Sequence, residues 1–193
     1  MKIIDILIDS ASLLGLCDEI NVLSSAVVDN EAEILNGNEK IASLFNLVKF
    51  SIRELCSNYF PMVSCETISV ENGSCPISSL ENYIRIQNVY KNGNVVKFKI
   101  INRNILLEED GEYQVDYETY PTINSMFEEV NFLQEFSPDV IVLGLCAYFS
   151  LAHGMFSEFQ EFHDKYESKA ESLKSIKNIQ MPSRRWEWEQ KRK

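Results

Sequence analysis

Histidine and paired cysteines are scarce in this 193-residue chain, and each scarcity excludes a class of site. The two histidines, His153 and His163, lie on one predicted helix and are separated by about 15 Å along its axis. They cannot share a metal ion unless that helix breaks. The five cysteines include no CxxC pair, and their odd number argues against a disulfide framework and a zinc knuckle. The cysteine pattern indicates a reducing cytosol.

Groups that could act together in catalysis are also far apart. A cysteine nucleophile needs a histidine base within hydrogen-bond reach, but Cys146 and His153 are separated by about 10 Å on the same predicted helix. The glycines mark turns and form neither of the phosphate-binding patterns, GxGxxG and GxxxxGK[ST]. We therefore predict no catalytic, cofactor-binding or metal-binding residues, and a protein that is not an enzyme.

Positive charge is scarce except at the C-terminus. The net charge is -11, which disfavours adventitious nucleic-acid binding. The final segment "SRRWEWEQKRK" has a net charge of +3, which leaves -14 for residues 1–182. Arginine and tryptophan are favoured at interface anchors, so the segment predicts a docking peptide, with a nucleic-acid contact or a disordered end as alternatives. The predicted docking residues are Arg184, Arg185, Trp186 and Trp188.

Only one apolar run approaches the length of a membrane span. Residues 140–157, "VIVLGLCAYFSLAHGMFS", carry no formal charge and reach the minimum for a transmembrane helix. The run contains two glycines, two serines and a histidine, and its nearest charged neighbours are acidic on both sides. The N-terminal stretch has Asp5 and Asp9 within its apolar residues and lacks a signal-peptide core. We expect no membrane association and a helix buried by protein.

The first sixty residues have a helical apolar period. In residues 1–16 apolar side chains recur on one face, which predicts an amphipathic helix. In residues 39–60 they recur at spacings of three and four, with Asn38 as the expected N-cap and Pro61 as the stop. The sequence between these two helices is mixed in character.

The centre of the chain has the period of β-strands. Asn72-Gly73, Asn92-Gly93 and Asp110-Gly111 each separate two short β-rich runs, which predicts three hairpin turns. Apolar and polar residues alternate from Tyr113 to Thr119, so one face of this strand is expected to be buried. These signals predict a small antiparallel β-meander that ends at Pro121.

A helical period returns near Ser137 and continues to about Lys177, unless Gly144 or Gly154 bends the helix. The first half of this helix is apolar on nearly all sides, so we infer that a second subunit covers it. In the second half, apolar residues alternate spacings of three and four, as in a helix packed along one partner. The predicted oligomer interface consists of Phe149, Phe156, Phe159, His163 and Tyr166.

These segments predict an α+β fold with N-terminal helices, a β-meander, a long C-terminal helix and an extended basic tail. The length fits one domain. We expect that domain over residues 1–182, helical over 1–60, with hairpins over 63–121 and helical again over 124–178. Residues 183–193 form the predicted docking tail.

Five motifs follow one another along the chain: "SNYFPMVSCET" at a helix end, a hairpin region, the strand end "YETYP", the helix "GLCAYFSLAHGMFSEFQEFHDKYESKAESL", and "MPSRRW". Their order resembles that of small neck proteins of tailed phages and prophages, described as head-tail connectors or adaptors. The resemblance spans about residues 39–186. Its most specific parts are "HGMFSEFQEFHDKY" and "PSRRW".

The resemblance implies a structural virion protein. Neck proteins of this class form a ring, typically twelve-fold, beneath the portal, and link the filled capsid to the tail around a DNA channel. The implied partners are other copies of the chain, the portal protein, and tail or further neck proteins, while DNA passes without specific binding. The implied location is the virion neck, and the host cytoplasm during assembly. The alternative is a non-enzymatic cytosolic adaptor or regulatory protein that binds a partner through its C-terminal tail.

Overall fold

The computed structural model describes residues 2–130 and 137–180 and confirms the predicted α+β class. The contacts divide the chain into two compact units. The helical unit comprises the residues up to Ser51 and those from Ser125 onward. The β unit comprises Ile52–Asn124.

Six α-helices are present in the described residues. The first and the fourth lie within the two N-terminal segments for which the apolar period predicts helices. The second and third lie in the mixed sequence between those segments, within the region 1–60 that was predicted to be helical, although no individual helix was assigned to this part of it. The bounds are α1 Ile3–Leu13, α2 Cys17–Ser24, α3 Glu31–Gly37, α4 Glu39–Asn58, α5 Asp139–Ala152 and α6 Phe156–Gln180.

Local capping and burial explain why α4 forms where the sequence predicts it. The Oδ1 atom of Asn38 accepts a hydrogen bond from the backbone N–H of Ile41 at 3.1 Å, which confirms the predicted N-cap. The helix ends at Asn58, shortly before Pro61. Its apolar stripe is buried throughout: Ile41, Leu44, Phe45, Val48, Ile52 and Leu55.

The start of α1 is held by a segment for which a helix was predicted. The backbone N–H groups of Ile3 and Ile4 donate to the carbonyls of Glu128 and Met126, at 3.0 and 2.7 Å. The prediction of a helix from residue 124 is wrong, because residues 124–130 instead form a turn and a short bridge beside α1. This irregular segment supplies acceptors that the first turn of a helix lacks internally.

The helical segment predicted to continue to about Lys177, unless Gly144 or Gly154 bends it, is broken at Gly154 into α5 and α6. Gly154 lies between them with a φ of +74°, a conformation that favours glycine. The two helices pack against each other as an antiparallel hairpin, and α6 is the long C-terminal helix. Gly144 makes this packing close, because a Cβ atom at that position would lie 3.0 Å from the Tyr166 ring.

The same hairpin explains how the nearly all-apolar α5 is covered. It packs against α1 and α6 of the same chain, so the inference that a second subunit must cover it is wrong. Within the described ranges, no helix combines the length and apolar character needed to cross a membrane. The buried residues of α5 are Val140, Ile141, Val142, Gly144, Leu145, Cys146, Ala147, Phe149 and Ser150.

The β unit contains two antiparallel sheets. A four-stranded sheet has the order β1-β7-β3-β4, and a three-stranded sheet has the order β2-β6-β5. The strands are β1 Met62–Val70, β2 Ser74–Pro76, β3 Tyr83–Lys91, β4 Asn94–Val95, β5 Lys99–Ile101, β6 Asn104–Leu106 and β7 Gly111–Thr119.

The strand order corrects the predicted meander. In a meander each strand pairs with the next one along the chain, but here the last strand, β7, lies between β1 and β3. The buried face of β7 forms part of the core of the β unit.

The hairpin turn at Asn92-Gly93 is confirmed, because it joins the paired strands β3 and β4. The turn at Asn72-Gly73 is closed by backbone hydrogen bonds between Glu71 and Ser74, but it joins β1 and β2, which belong to different sheets. All four turn residues have positive φ. Asp110-Gly111 is not a hairpin turn, because β6 and β7 belong to different sheets.

The alternation predicted along β7 is confirmed. Tyr113, Val115 and Tyr117 are buried in the core of the β unit. On the opposite face, the carboxylate of Glu118 accepts hydrogen bonds from Arg85 at 2.8 Å and from Gln87 at 3.2 Å. These bonds compensate the burial of a charged group.

The close approach of α5 and α6 can be tested at Gly144. We expect Gly144→Val to reduce the free energy of unfolding by about 1–3 kcal/mol, because the added methyl groups meet the Tyr166 ring. Gly37→Val is the matched control, since a Cβ at this helical position meets nothing within 4 Å. Urea denaturation followed by far-ultraviolet circular dichroism measures both changes, and equal stability of the two variants would contradict the packing.

Candidate assembly surface

The five predicted interface residues all lie on α5 and α6, but the structure separates them by burial. Phe149 and Tyr166 are buried, with 2% and 1% of their surface exposed. Phe159 and His163 are half-buried, and Phe156 is 69% exposed. Phe149 and Tyr166 are therefore core residues of this chain and are not available to a second subunit. Phe156, Phe159 and His163 remain accessible.

An aromatic row leads along α6 from the core to the surface. The rings of Tyr166 and His163 have centroids 6.3 Å apart, and those of His163 and Phe159 are 5.1 Å apart. His153, at the end of α5, lies over the Phe149 ring with a centroid distance of 4.1 Å. The exposed fraction of these side chains increases along α6 from Tyr166 towards Phe156. The aromatic row is therefore buried at Tyr166 and exposed at the N-terminal end of α6.

Further apolar side chains are exposed near that end. Leu151, in the last turn of α5, is 43% exposed, and Tyr148 lies one turn before it on the same helix. Phe50 of α4 is 51% exposed and meets the Tyr148 ring edge-on at a centroid distance of 4.9 Å. We refer to Phe50, Tyr148, Leu151 and Phe156 as the assembly surface.

Two exposed ion pairs lie on the α5–α6 hairpin, one between the two helices and one within α6. Lys169 of α6 donates to Asp139 of α5 at 2.9 Å, and Lys165 donates to Glu161 at 2.5 Å. The bond from Lys169 lowers the pKa of the Asp139 carboxyl, with a smaller contribution from the Ser137 hydroxyl. The Asp139 pair is therefore present at neutral pH and is lost as pH falls through that lowered value. Because both side chains are largely exposed, the pair contributes little to the stability of the hairpin.

Two buried cysteines, Cys56 and Cys146, do not have the environment of a nucleophile. Burial raises the pKa of both Cys56 and Cys146 to about 12, so these thiols are protonated at neutral pH. The Cys146 thiol donates to the backbone carbonyl of Ser10 at 3.7 Å and packs as a small apolar group. In the described part of the chain, no three histidine, cysteine or acidic side chains are grouped so as to hold a metal ion.

The predicted docking residues Arg184, Arg185, Trp186 and Trp188 lie outside the described residues. Comparison with models of known protein families gives no match, and comparison with curated proteins gives no significant match. The functional assignment of this chain therefore rests on its own residues and geometry.

Phe50, Tyr148 and Leu151 are not among the interface residues predicted from the sequence. Phe50 carries a usable signal, because it is a large apolar residue outside the apolar stripe of an amphipathic helix. Tyr148 and Leu151 carry no such signal, since nearly every position of α5 is apolar. The exposed part of α5 is the part that α1 and α6 do not cover, and the sequence pattern alone does not identify it.

Because Tyr166 is buried and Phe156 is exposed, truncating these two side chains should change the free energy of unfolding by very different amounts. Tyr166→Ala should reduce the free energy of unfolding by about 3–5 kcal/mol, because a buried ring leaves a cavity in the core. Phe156→Ala should change it by less than about 0.5 kcal/mol, because the ring is exposed in the monomer. Both values are obtained from urea denaturation at a concentration where the protein is monomeric. A large cost for Phe156→Ala would place that ring in the core.

Proposed function

We propose that this protein is a non-enzymatic structural protein of a tailed phage or prophage. In this proposal it forms an oligomeric neck ring that joins the portal and capsid to the tail around the DNA channel. The resemblance of its motif order to head-tail connectors supports the proposal. The proposed location is the virion neck, and the host cytoplasm during assembly.

The observation that carries the proposal is the assembly surface. Phe50, Leu151 and Phe156 are large apolar residues, each at least 43% exposed, in the helical unit, which also exposes Leu13, Val27 and Val28. Grouped apolar exposure of this kind is typical of surfaces that bind other proteins. Complete burial of one phenylalanine contributes about 1.5–3 kcal/mol, so a few such residues per contact can hold subunits together.

The charge of the chain is consistent with a DNA channel. Residues 1–182 carry a net charge of -14, and the phosphate backbone of DNA is itself strongly negative. A channel lined by such subunits repels the DNA that must pass through it. The basic tail is the exception and is proposed to dock on a protein surface.

Ring formation predicts that one charge on the assembly surface prevents oligomerisation. In Phe156→Glu, the carboxylate would have to be buried without a partner at each subunit contact, so we expect a folded monomer. Val28→Glu is the control, because Val28 is 67% exposed and lies outside the assembly surface. Multi-angle light scattering should show rings for the control and for the unchanged protein. Rings of the same mass in Phe156→Glu would contradict the assigned surface.

The neck assignment itself is tested by inactivating the gene in the phage or induced prophage that encodes it. We expect electron micrographs to show DNA-filled capsids separated from free tails, because the joining ring is missing. Reintroducing the gene in trans should restore complete virions. Complete, infectious virions without the protein would contradict the neck role and favour the adaptor alternative.

A further inference from the structure

A groove in the β unit is lined by apolar and charged residues in alternation. The pairing of β5 with β6 ends at Lys99 and Leu106, and beyond this pair the two segments leave a cavity of about 640 Å³ between them. Val96 and Phe98 are half-buried and pack on the core, whereas Lys97 and Lys99 are exposed. The groove therefore has an apolar floor and a lysine rim. Its size is within the range of sites that bind drug-sized ligands.

The position of the groove leaves it open to an extended peptide. Lys97 and Phe98 lie between β4 and β5 and belong to neither strand. β5 is an outer strand of the three-stranded sheet, and its residues Ile100 and Ile101 are 45% and 50% exposed. The free edge of this strand faces away from β6 and from the groove, so an extended segment in the groove would be held by contacts with the lining side chains.

The C-terminal tail has the complementary pattern. Residues 186–189 read Trp-Glu-Trp-Glu, so an extended chain places both indoles on one side and both carboxylates on the other. The indoles match the apolar floor, and Glu187 and Glu189 match the lysine rim.

We propose that this groove is the docking site for the tail of the neighbouring subunit in the ring. In this arrangement Trp186 and Trp188 lie on Val96 and Phe98, and the two glutamates of the tail pair with Lys97 and Lys99. The inference rests on the proposed ring, and it identifies the surface to which the docking tail binds. Trp186 to Glu189 lie six to nine residues beyond the end of α6 at Gln180, so an extended tail carries them up to about 20–30 Å from that helix, far enough to contact an adjacent subunit.

Charge reversal in the full-length protein tests this arrangement. The groove variant carries Lys97→Glu and Lys99→Glu, the tail variant carries Glu187→Lys and Glu189→Lys, and the combined variant carries all four. Light scattering reports assembly, and the emission maximum of Trp186 and Trp188, the only tryptophans, reports the environment of the tail.

Either reversal alone should shift the emission to the red and raise the concentration needed for assembly on the order of tenfold, because attraction becomes repulsion at two pairs. The combined variant should recover the emission and assembly of the unchanged protein. A charge control adds Glu33→Lys and Glu71→Lys to the groove variant. Both of these glutamates are exposed, so the control restores net charge without restoring the pairs and should remain defective.

Other outcomes overturn the inference in distinguishable ways. Normal assembly and emission in the groove variant, or failure of the combined variant to recover, would exclude this groove while leaving the ring intact. Red-shifted emission in an assembled ring of the unchanged protein would show that the tail is not docked on a subunit. Blue-shifted emission in a monomer would show that the tail binds its own chain. An unchanged protein that stays monomeric at every concentration would contradict the ring as well.

Discussion

The helical unit depends on the contact between Gly144 and Tyr166. Because position 144 has no side chain, the Tyr166 ring lies directly against the backbone of α5, and α6 can fold back along it. This return buries Phe149 and Tyr166 together. It also leaves the turn between the helices at the edge of the packing, where Leu151 and Phe156 stay exposed. The covered core and the proposed assembly surface thus have one physical cause.

The β unit has a comparable constraint in its central strand. β7 buries Tyr113, Val115 and Tyr117 and pairs with β1 on one side and β3 on the other. Both edges of β7 are therefore occupied, and the short strands β5 and β6 pair with each other in the second sheet. The groove lies where the pairing of β5 with β6 ends. A closed head-to-tail ring requires two different surfaces on each subunit. The proposed tail and groove are two such surfaces, and the assembly surface is proposed to add apolar contact between the same subunits.

Sequence reasoning succeeded where the determining interaction is local. The Asn38 cap, the stripe of α4, the alternation along β7 and the turns at Asn72-Gly73 and Asn92-Gly93 each depend on residues within a few positions of one another. It failed where the partner is distant in the chain. The apolar character of α5 was recognised, but α1 and α6, rather than a second subunit, were found to cover it.

The amino-acid sequence by itself determined the α+β class, the positions of most helices and strands, and the opposite charges of the body and the tail. The tertiary structure alone decided the strand order, the break at Gly154 and the burial of each aromatic residue on α6. Periodicity and capping specify the local backbone, but they do not specify which distant segment will pack against it. For this reason Tyr166 and Phe156, which share one apolar pattern, lie in the core and on the surface respectively.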